Sequence, residues 1–308
     1  MAVQIDDRLI VAISSRALFD LSESHAVYEA GGVEAYQRHQ IDHEDDLLQP
    51  GVAFELARKL LRLNEASRQH VEIVLLSRNS ADTGLRIFNA ISHYKLGITR
   101  AVFTSGRDTS RYVPALGTHL FLSADPEDVR HALESGHAAA TIVPRRGVSN
   151  VVDAIVPQDD DELRIAFDGD AVLFADEAER VYRAQGLDAF QTHEADHAAR
   201  PLPPGPFKPL LEALHRLQQA DDHGHVPMRL RTALVTARSS PAHERAIRTL
   251  MGWNIEVDEA MFLGGLEKGE FLRNFQPDFF FDDQTRHVES ASAHVPSGHV
   301  LHGIANER

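Results

Sequence analysis

An internal repeat is the feature of this 308-residue chain that most narrows the choice of fold. Residues 12–64 align without a gap on residues 166–218, and 19 of the 53 positions are identical. A second pair of strings also aligns, LLSRNS at 75–80 on LVTARS at 234–239. Because both copies of a duplicated unit adopt the same fold, one fold class has to describe both halves. We predict an internal duplication with domains at residues 1–150 and 160–308.

The sequence of each half predicts short strands that alternate with helices. Apolar runs rich in Val, Ile and Phe, such as LIVAI and VEIVLL in the first half and LRIAF and DFFF in the second, predict buried strands. Longer stretches with helical spacing, such as AFELARKLLRL and PLLEALHRL, separate them. This alternation predicts an α/β fold with doubly wound parallel sheets. Reactive groups in such sheets are expected at the carboxyl ends of the strands.

The composition excludes several classes of protein and partner. A net charge of −15 argues against a protein that coats nucleic acid or an anionic membrane surface. With no cysteine, the chain has neither disulfides nor thiolate sites, which fits a reducing compartment. No stretch approaches the length of apolar sequence that a membrane span needs. We expect a cytoplasmic protein without nucleic-acid or membrane partners.

Two strands of the second half end in residues suited to phosphate chemistry. The string LRIAF runs into Asp168, Gly169 and Asp170, so one acid can attack while the other shuttles a proton. The string RTALV ends in Thr236, Ala237 and Arg238, which offer a hydroxyl and a cation just before a helix.

The last two segments add a cation and another acidic pair. Lys268 follows a Gly pair, and Asp282 and Asp283 follow the apolar run DFFF. Several carboxylates near one point repel each other unless a hard cation lies among them, and such oxygen ligands suit Mg²⁺. The constellation predicts phosphoryl transfer.

These residues carry a resemblance to known proteins. The strings FDGDAVLFADE, LVTAR, LGGLEKGEFL and FFFDDQ resemble, in order, the four motifs of the haloacid dehalogenase-like (HAD) phosphatases. The first and last, with LIVAISSRALFD, LSADPEDV and AAATIVP, resemble the cytosolic 5′-nucleotidase type I family over most of the chain. The resemblance implies two tandem HAD-like (Rossmannoid) doubly wound parallel sheets, the N-terminal one degenerate. It also implies hydrolysis of nucleoside 5′-monophosphates, AMP foremost, to nucleoside and phosphate.

The resemblance implies a role for each residue of these motifs. Asp168 would be the nucleophile, Asp170 the acid and then the base, and Thr236 and Lys268 would hold the phosphate oxygens. The Mg²⁺ ligands would be oxygen atoms of four residues: Asp168, the backbone carbonyl of Asp170, Asp283 and, in support, Asp282. Further substrate contacts would come from three neighbours: Gly169, Ala237 and Arg238.

The N-terminal half lacks these groups at the aligned positions. Ser14 and Arg16 replace the first acidic pair, and Ser123 and Ala124 replace the last. Such a half cannot hold the metal, so we predict that it packs on the catalytic half and supplies part of the nucleotide pocket. The candidate contacts are three cations and an amide: Arg16, Arg78, Asn79 and Arg107. The open alternative is a separate site for a nucleotide effector.

One further motif is interpreted as part of the scaffold. Residues 193–197, HEADH, match the HExxH pattern of zinc proteases, in which two histidines bind zinc and the glutamate is the base. The aligned residues 39–43, HQIDH, keep both histidines and replace the glutamate by glutamine. A pattern that persists without its catalytic base is typical of a structural feature.

Two rival functions remain open at this point. The same active half would serve a phosphatase for a sugar phosphate or another small phosphometabolite. A nucleotide-sensing binding protein with vestigial catalysis would instead use the N-terminal half as its working site. A homo-oligomer also remains open as an assembly.

Overall fold

The first half of the chain alternates strands and helices as the sequence predicts. In the computed structural model, which describes residues 8–65, 68–144, 161–221 and 226–307, a 3₁₀ turn at Ser110–Tyr112 interrupts this alternation. The strands and helices of this half are β1 (Leu9–Ile13), α1 (Ser15–Leu18), β2 (Phe19–Asp20), α2 (Ser22–Asp42), β3 (Gln49–Pro50), α3 (Phe54–Arg62), β4 (Val71–Ser77), α4 (Gly84–His93), β5 (Arg100–Phe103), α5 (Val113–Leu116), β6 (Leu120–Ser123), α6 (Pro126–Glu134) and β7 (Ala139–Val143).

The second half repeats this alternation and confirms the α/β class. A 3₁₀ turn at Ile304–Asn306 follows its last strand. Its strands and helices are β8 (Glu162–Phe167), α7 (Glu177–Gln185), α8 (Leu187–Asp196), α9 (Lys208–Asp221), β9 (Arg229–Thr236), α10 (His243–Gly252), β10 (Glu259–Phe262), α11 (Gly269–Phe275), β11 (Phe279–Asp282), α12 (Thr285–Ser292) and β12 (Ser297–His299).

The helix after the first strand breaks at a glycine in both halves. Gly32 interrupts α2 at φ 71°, and the aligned Gly186 separates α7 from α8 at φ 85°. These left-handed backbone angles cost little without a Cβ atom. The two halves therefore share a local detail as well as an alternation of elements.

The long strands of both halves pair into one sheet. Its ten strands follow the order β10-β9-β8-β11-β12-β7-β6-β1-β4-β5, so the two halves have the same internal strand order. Neighbours within each half are parallel, and β7 pairs antiparallel with β12 through Val143 and Ser297. The prediction of two separate sheets is thus corrected to one continuous sheet. Pairing satisfies the backbone groups that two free edge strands would leave open.

The antiparallel junction decides where each half can carry a site. Strands of the first half run opposite to those of the second, so their carboxyl ends leave the sheet at opposite edges. The chain after β1 and the chain after β8 therefore cannot line one shared strand-end site.

The halves also share a core and a buried ion pair. One apolar cluster includes residues of both halves, such as Leu60 and Phe167. Lys59 of α3 is buried, and its Nζ lies 2.8 Å from Asp278 Oδ1 and donates to the carbonyl of Glu162 at 2.9 Å. A lysine of the first half thus satisfies an acidic group of the second.

Two further predictions concern the domain boundary and membrane spans. The boundary predicted between residues 150 and 160 falls outside the described residues and stays a prediction. Among the described residues, no helix combines the length and apolar character needed to cross a membrane.

Candidate active site

The acidic side chains lie at the carboxyl edge of the second half of the sheet. Asp168 directly follows β8, and its backbone N–H donates to the carbonyl of Phe281 in β11 at 2.8 Å. Asp282 ends β11, and Asp283 comes next. Pairing of β8 with β11 thus brings together carboxylates that are far apart in the chain.

Asp168, Asp282 and Asp283 form one buried cluster, called the acidic cluster below. Each offers a carboxylate oxygen, and these oxygens lie within 4.8 Å of one another. Buried like charges at this spacing repel strongly, because little water screens them. Over residues 8–307, apart from the three undescribed gaps, no other group of three or more histidine or acidic side chains is arranged to hold a metal ion.

Lys268 supplies part of the compensating charge. This buried residue immediately precedes α11, and its Nζ lies 2.7 Å from Asp168 Oδ1 and 2.6 Å from Asp282 Oδ2. Burial alone would lower the pKa of Lys268, but the two carboxylates outweigh burial and raise it. The ammonium group therefore stays charged beside the acids.

The three carboxyl groups of the acidic cluster differ in pKa. Burial would raise the pKa of Asp282, but Lys268 and His287 hold it below its ordinary value. Burial raises the pKa of Asp168 to about 7, against the charge of Lys268. Burial, followed by the charges of Asp168 and Asp282, raises the pKa of Asp283 to about 10. Asp283 is the carboxylate that lacks a cation.

Asp283 is also unsatisfied in hydrogen bonding. Within the described part of the chain, both of its carboxylate oxygens are buried without a hydrogen-bond partner, whereas its carbonyl accepts from His299 Nε2 at 2.8 Å and from Asn306 Nδ2 at 2.9 Å. Buried polar atoms without partners are rare in proteins and call for an explanation. An oxygen-only donor set with two free carboxylate oxygens fits a hard divalent cation such as Mg²⁺.

Asp170 lies beside this cluster and is held by Arg238. Arg238 donates from Nε and Nη2 to the two carboxylate oxygens of Asp170, at 2.8 Å and 2.6 Å. Its remaining terminal nitrogen, Nη1, donates to the carbonyl of Ala242 and to Glu194. The guanidinium group that the sequence assigned to substrate is thus engaged by protein carboxylates, and its contact with substrate stays a prediction.

Glu194 of the HExxH string is the buried partner of two arginines. It is fully buried, pairs with Arg238, and accepts from Arg245 Nη1 at 2.8 Å. The rings of His193 and His197 stack on each other, and His193 Nδ1 lies 3.1 Å from Glu194 Oε1. The string therefore builds an ion-pair network behind Asp170.

The residues of this network have no counterparts in the first half. Asp170, Arg238 and Glu194 align with Arg16, Asn79 and Gln40, so the three change together between the halves. Because most aligned positions differ between the halves, this change gave no sequence signal for the contacts that the structure shows.

Thr236 and its neighbours lie at the same edge. Thr236 is buried at the end of β9, and its Oγ1 accepts from the backbone N–H of Arg238 at 3.2 Å. A Cβ atom on Gly169 would come within 3.2 Å of Thr236 Oγ1, so glycine permits this close approach. Ala237 is exposed beside them. The predicted phosphate contacts thus adjoin the acidic cluster.

Two supporting groups were not predicted from the sequence. Asn306, in the last turn of the chain, holds the Asp283 carbonyl. Glu179 of α7 is buried, one of its carboxylate oxygens has no partner, and its charge helps raise the pKa of Asp283. Neither residue belongs to a recognisable motif, and only folding brings them near the site.

The four candidates of the N-terminal half lie elsewhere. Arg16, Arg78 and Asn79 line a cavity at the opposite edge of the sheet. Arg107 is exposed and is not among the lining residues. The structure does not bring any of them to Asp168, because the antiparallel β7–β12 junction reverses the first half. The prediction that they share the catalytic pocket is not supported by this topology.

Comparisons with known proteins agree with the motifs. A family model described as 5′-nucleotidase matches residues 1–307. Human (Homo sapiens) cytosolic 5′-nucleotidase 1B is 38% identical over 293 residues, which cover 92% of this chain and 47% of that protein. The chain thus spans about half the length of this curated relative.

Among solved structures, an S. aureus MnaA–UDP co-structure covers 94% of this chain and 78% of its own at 9% identity. Its TM-score of 0.21 is too low to carry any argument about fold or function. The family match over nearly the whole length confirms the predicted resemblance to 5′-nucleotidases. The chain belongs to the 5′-nucleotidase family.

Proposed function

We propose that this chain is a Mg²⁺-dependent 5′-nucleotidase that converts nucleoside 5′-monophosphates, AMP foremost, into nucleoside and phosphate. The observation that carries the proposal is the acidic cluster, with two unpartnered carboxylate oxygens of Asp283 beside Asp168. Family membership supplies the reaction class. Geometry and family agree on phosphate monoester hydrolysis.

The first chemical step belongs to Asp168 and Asp170. A carboxylate oxygen of Asp168 forms a bond to phosphorus while the bond from phosphorus to the 5′ oxygen breaks. Asp170, in its protonated form, gives its proton to the departing oxygen, and the nucleoside leaves. Arg238 fixes the direction of the Asp170 carboxyl through two hydrogen bonds.

The second step returns the enzyme to its starting state. Asp170, now ionised, takes a proton from water, and the oxygen of that water attacks phosphorus. The bond from phosphorus to Asp168 breaks, which releases inorganic phosphate and restores both carboxyl groups. One residue thus serves as acid in the first step and base in the second.

The remaining groups of the site neutralise charge. Mg²⁺ would be held by Asp168, the Asp170 carbonyl and Asp283, with Asp282 in support, and would offset repulsion between the nucleophile and the phosphate. Thr236 and Lys268 would bind the non-bridging phosphate oxygens. Three neighbours complete the proposed set of substrate contacts: Gly169, Ala237 and Arg238.

We also propose an origin of the chain by duplication and a cytoplasmic location. The shared strand order and the paired breaks at Gly32 and Gly186 support two HAD-like halves that arose by duplication, of which the first lost its acidic residues. We place the protein in the cytoplasm, as the lack of cysteine suggests. A nucleotide effector and a homo-oligomer are further expectations of the sequence.

Phosphate release with and without Mg²⁺ tests the proposed function. We expect the purified chain to release phosphate from AMP faster than from a sugar phosphate, and EDTA to stop the release. Asp168→Asn should lower turnover by ~10³-fold or more, because an amide is a poor nucleophile. The control is Asp188→Asn, which changes an exposed acid of α8 and should leave turnover intact. Full turnover of Asp168→Asn, or preference for the sugar phosphate, would overturn the proposal.

A further inference from the structure

The N-terminal half contains a cavity of about 300 Å³ at the carboxyl ends of its strands. It lies where β1, β4 and β6 end, which corresponds to the position of the acidic cluster and Thr236 at the ends of β8, β11 and β9. Its volume falls at the lower end of the range for small-molecule sites. The half without catalytic acids therefore still has a pocket at the equivalent place.

The floor of this cavity differs from the acidic cluster in charge. Ser14, Ser77 and Ser123 replace the two aspartates and the threonine of the catalytic half. Ser15 Oγ contacts Ser77 Oγ at 2.7 Å and donates to Asn79 Oδ1 at 2.9 Å, so the hydroxyl groups form a buried network. Unlike a carboxylate floor, this neutral floor does not repel an anion and so does not require a metal ion.

Of the two arginines that line this cavity, Arg16 is the one without a partner among the residues that the structure describes. The other lining arginine, Arg78, lies 2.7 Å from Asp128 and 3.2 Å from Asp125, so its charge is already compensated. In the part of the chain that the structure describes, Arg16 makes no hydrogen bond or ion pair through its side chain, and it is exposed at the cavity. Its guanidinium can form a charge-assisted contact with a phosphate group.

One wall of the cavity is apolar and aromatic. Tyr28 is 46% exposed and Val33 is 59% exposed, and both line the cavity together with Tyr36 and Leu21. The rings of Tyr28 and Tyr36 meet edge to face at 6.3 Å. An aromatic ring of a ligand can pack on these exposed faces. The cavity thus joins an aromatic wall to a floor of hydroxyl groups and the cation Arg16, and its two lining carboxylates, Asp125 and Asp128, are paired with Arg78.

We infer that this cavity is a second, metal-independent binding site for a nucleoside 5′-monophosphate, with the base against Tyr28 and the phosphate on Arg16 and the serine floor. The choice of a nucleotide as ligand rests on the proposed function, because the cavity takes the place of a substrate site. The cavity is distinct from the acidic cluster, because the strands of the two halves have their carboxyl ends at opposite edges of the sheet.

Calorimetric titration of the full chain with AMP in EDTA tests this inference. Without Mg²⁺ the catalytic site lacks the cation that is proposed to offset repulsion between Asp168 and the phosphate, so we expect one AMP per chain to bind in the N-terminal half. Arg16→Ala should weaken this binding by about tenfold or more, as should Tyr28→Ala. The matched control is Arg38→Ala, which removes an exposed arginine of the same helix as Tyr28 outside the cavity. Separate titrations with adenosine and with inorganic phosphate measure how much of the AMP affinity comes from the aromatic wall and how much from the floor with Arg16.

The outcomes separate this site from the catalytic one. Asp283→Asn should leave binding in EDTA unchanged, since Asp283 lies at the other edge of the sheet. No heat of binding in EDTA, or binding that Asp283→Asn removes and Arg16→Ala does not, would overturn the inference. If the wild type releases no phosphate from AMP with Mg²⁺ and still binds AMP in EDTA, only the proposed function fails. If it releases phosphate and does not bind in EDTA, only the second site fails.

Discussion

At the scale of single residues, Asp283 shows how folding can prepare a site at a cost to stability. Its carboxylate is buried without a partner, next to two other acids and one lysine. A ligand that binds only the folded state stabilises it by mass action, so a cation that satisfies these oxygens should stabilise the fold. The side chain that is proposed to bind the cation is therefore also one that lowers the stability of the cation-free fold.

We expect Mg²⁺ at a hundred times its dissociation constant to raise the melting temperature by several degrees, because such binding adds about 2.7 kcal/mol. Asp283→Asn should lose most of this shift, since the amide replaces one anionic oxygen by a donor. Asp188→Asn, at an exposed acid, should keep it. Differential scanning calorimetry with Mg²⁺ and with EDTA measures the shift. An equal shift in Asp283→Asn would show that the cation binds elsewhere.

We expect Glu194 to affect catalysis through Arg238, which contacts both Glu194 and Asp170. In Glu194→Gln, Arg238 and Arg245 lose their shared buried carboxylate, so the guanidinium that fixes Asp170 gains freedom. We expect kcat to fall by about tenfold to a hundredfold with little change in KM. The control Glu177→Gln removes the more exposed carboxylate on Arg245 and should leave kcat near the wild-type value. A fall in stability with unchanged kcat would show that Glu194 is purely structural.

At the scale of elements, α3 links the halves through Lys59. The buried pair with Asp278 lies between a helix of one half and the chain before β11 of the other. Breaking a buried pair leaves an uncompensated charge, so Lys59→Met should lower the free energy of unfolding by about 3–5 kcal/mol. Arg62→Met on the same helix is the control, because Asp161, its partner at 3.5 Å, is 90% exposed. Urea denaturation measures both, and equal losses would contradict this account.

At the scale of the whole molecule, the β7–β12 pair makes the two halves depend on each other. A chain of residues 155–308 would expose the edge of β12 and the apolar surface that contacts the first half. We expect this fragment to aggregate or to pair through β12, and to lack a stable monomer. Size-exclusion chromatography with light scattering, beside the full chain, measures this. A monodisperse fragment monomer that unfolds cooperatively would show that the halves are independent.

Local sequence was enough to predict the strands that carry chemistry, the residues at their ends and the helices between them, but it did not predict β7 and β12, the strands that join the halves. Apolar runs determine where strands form, and parallel strands bring their carboxyl ends to one edge, so Asp168 and Asp282 could be placed together from the sequence. The repeat predicted that both halves share one strand order.

The sequence by itself determined the α/β class of each half and the acids at the strand ends of the second half, because short-range periodicity and strand-end motifs encode both. Only the tertiary structure decided that the halves join as one sheet through an antiparallel pair, and that Arg238 faces Asp170 and Glu194. The physical reason is that edge pairing and buried ion pairs depend on which surfaces meet after folding. No local sequence pattern predicts the antiparallel β7–β12 pairing. In this protein that pairing places the cavity and the acidic cluster at opposite edges of the sheet.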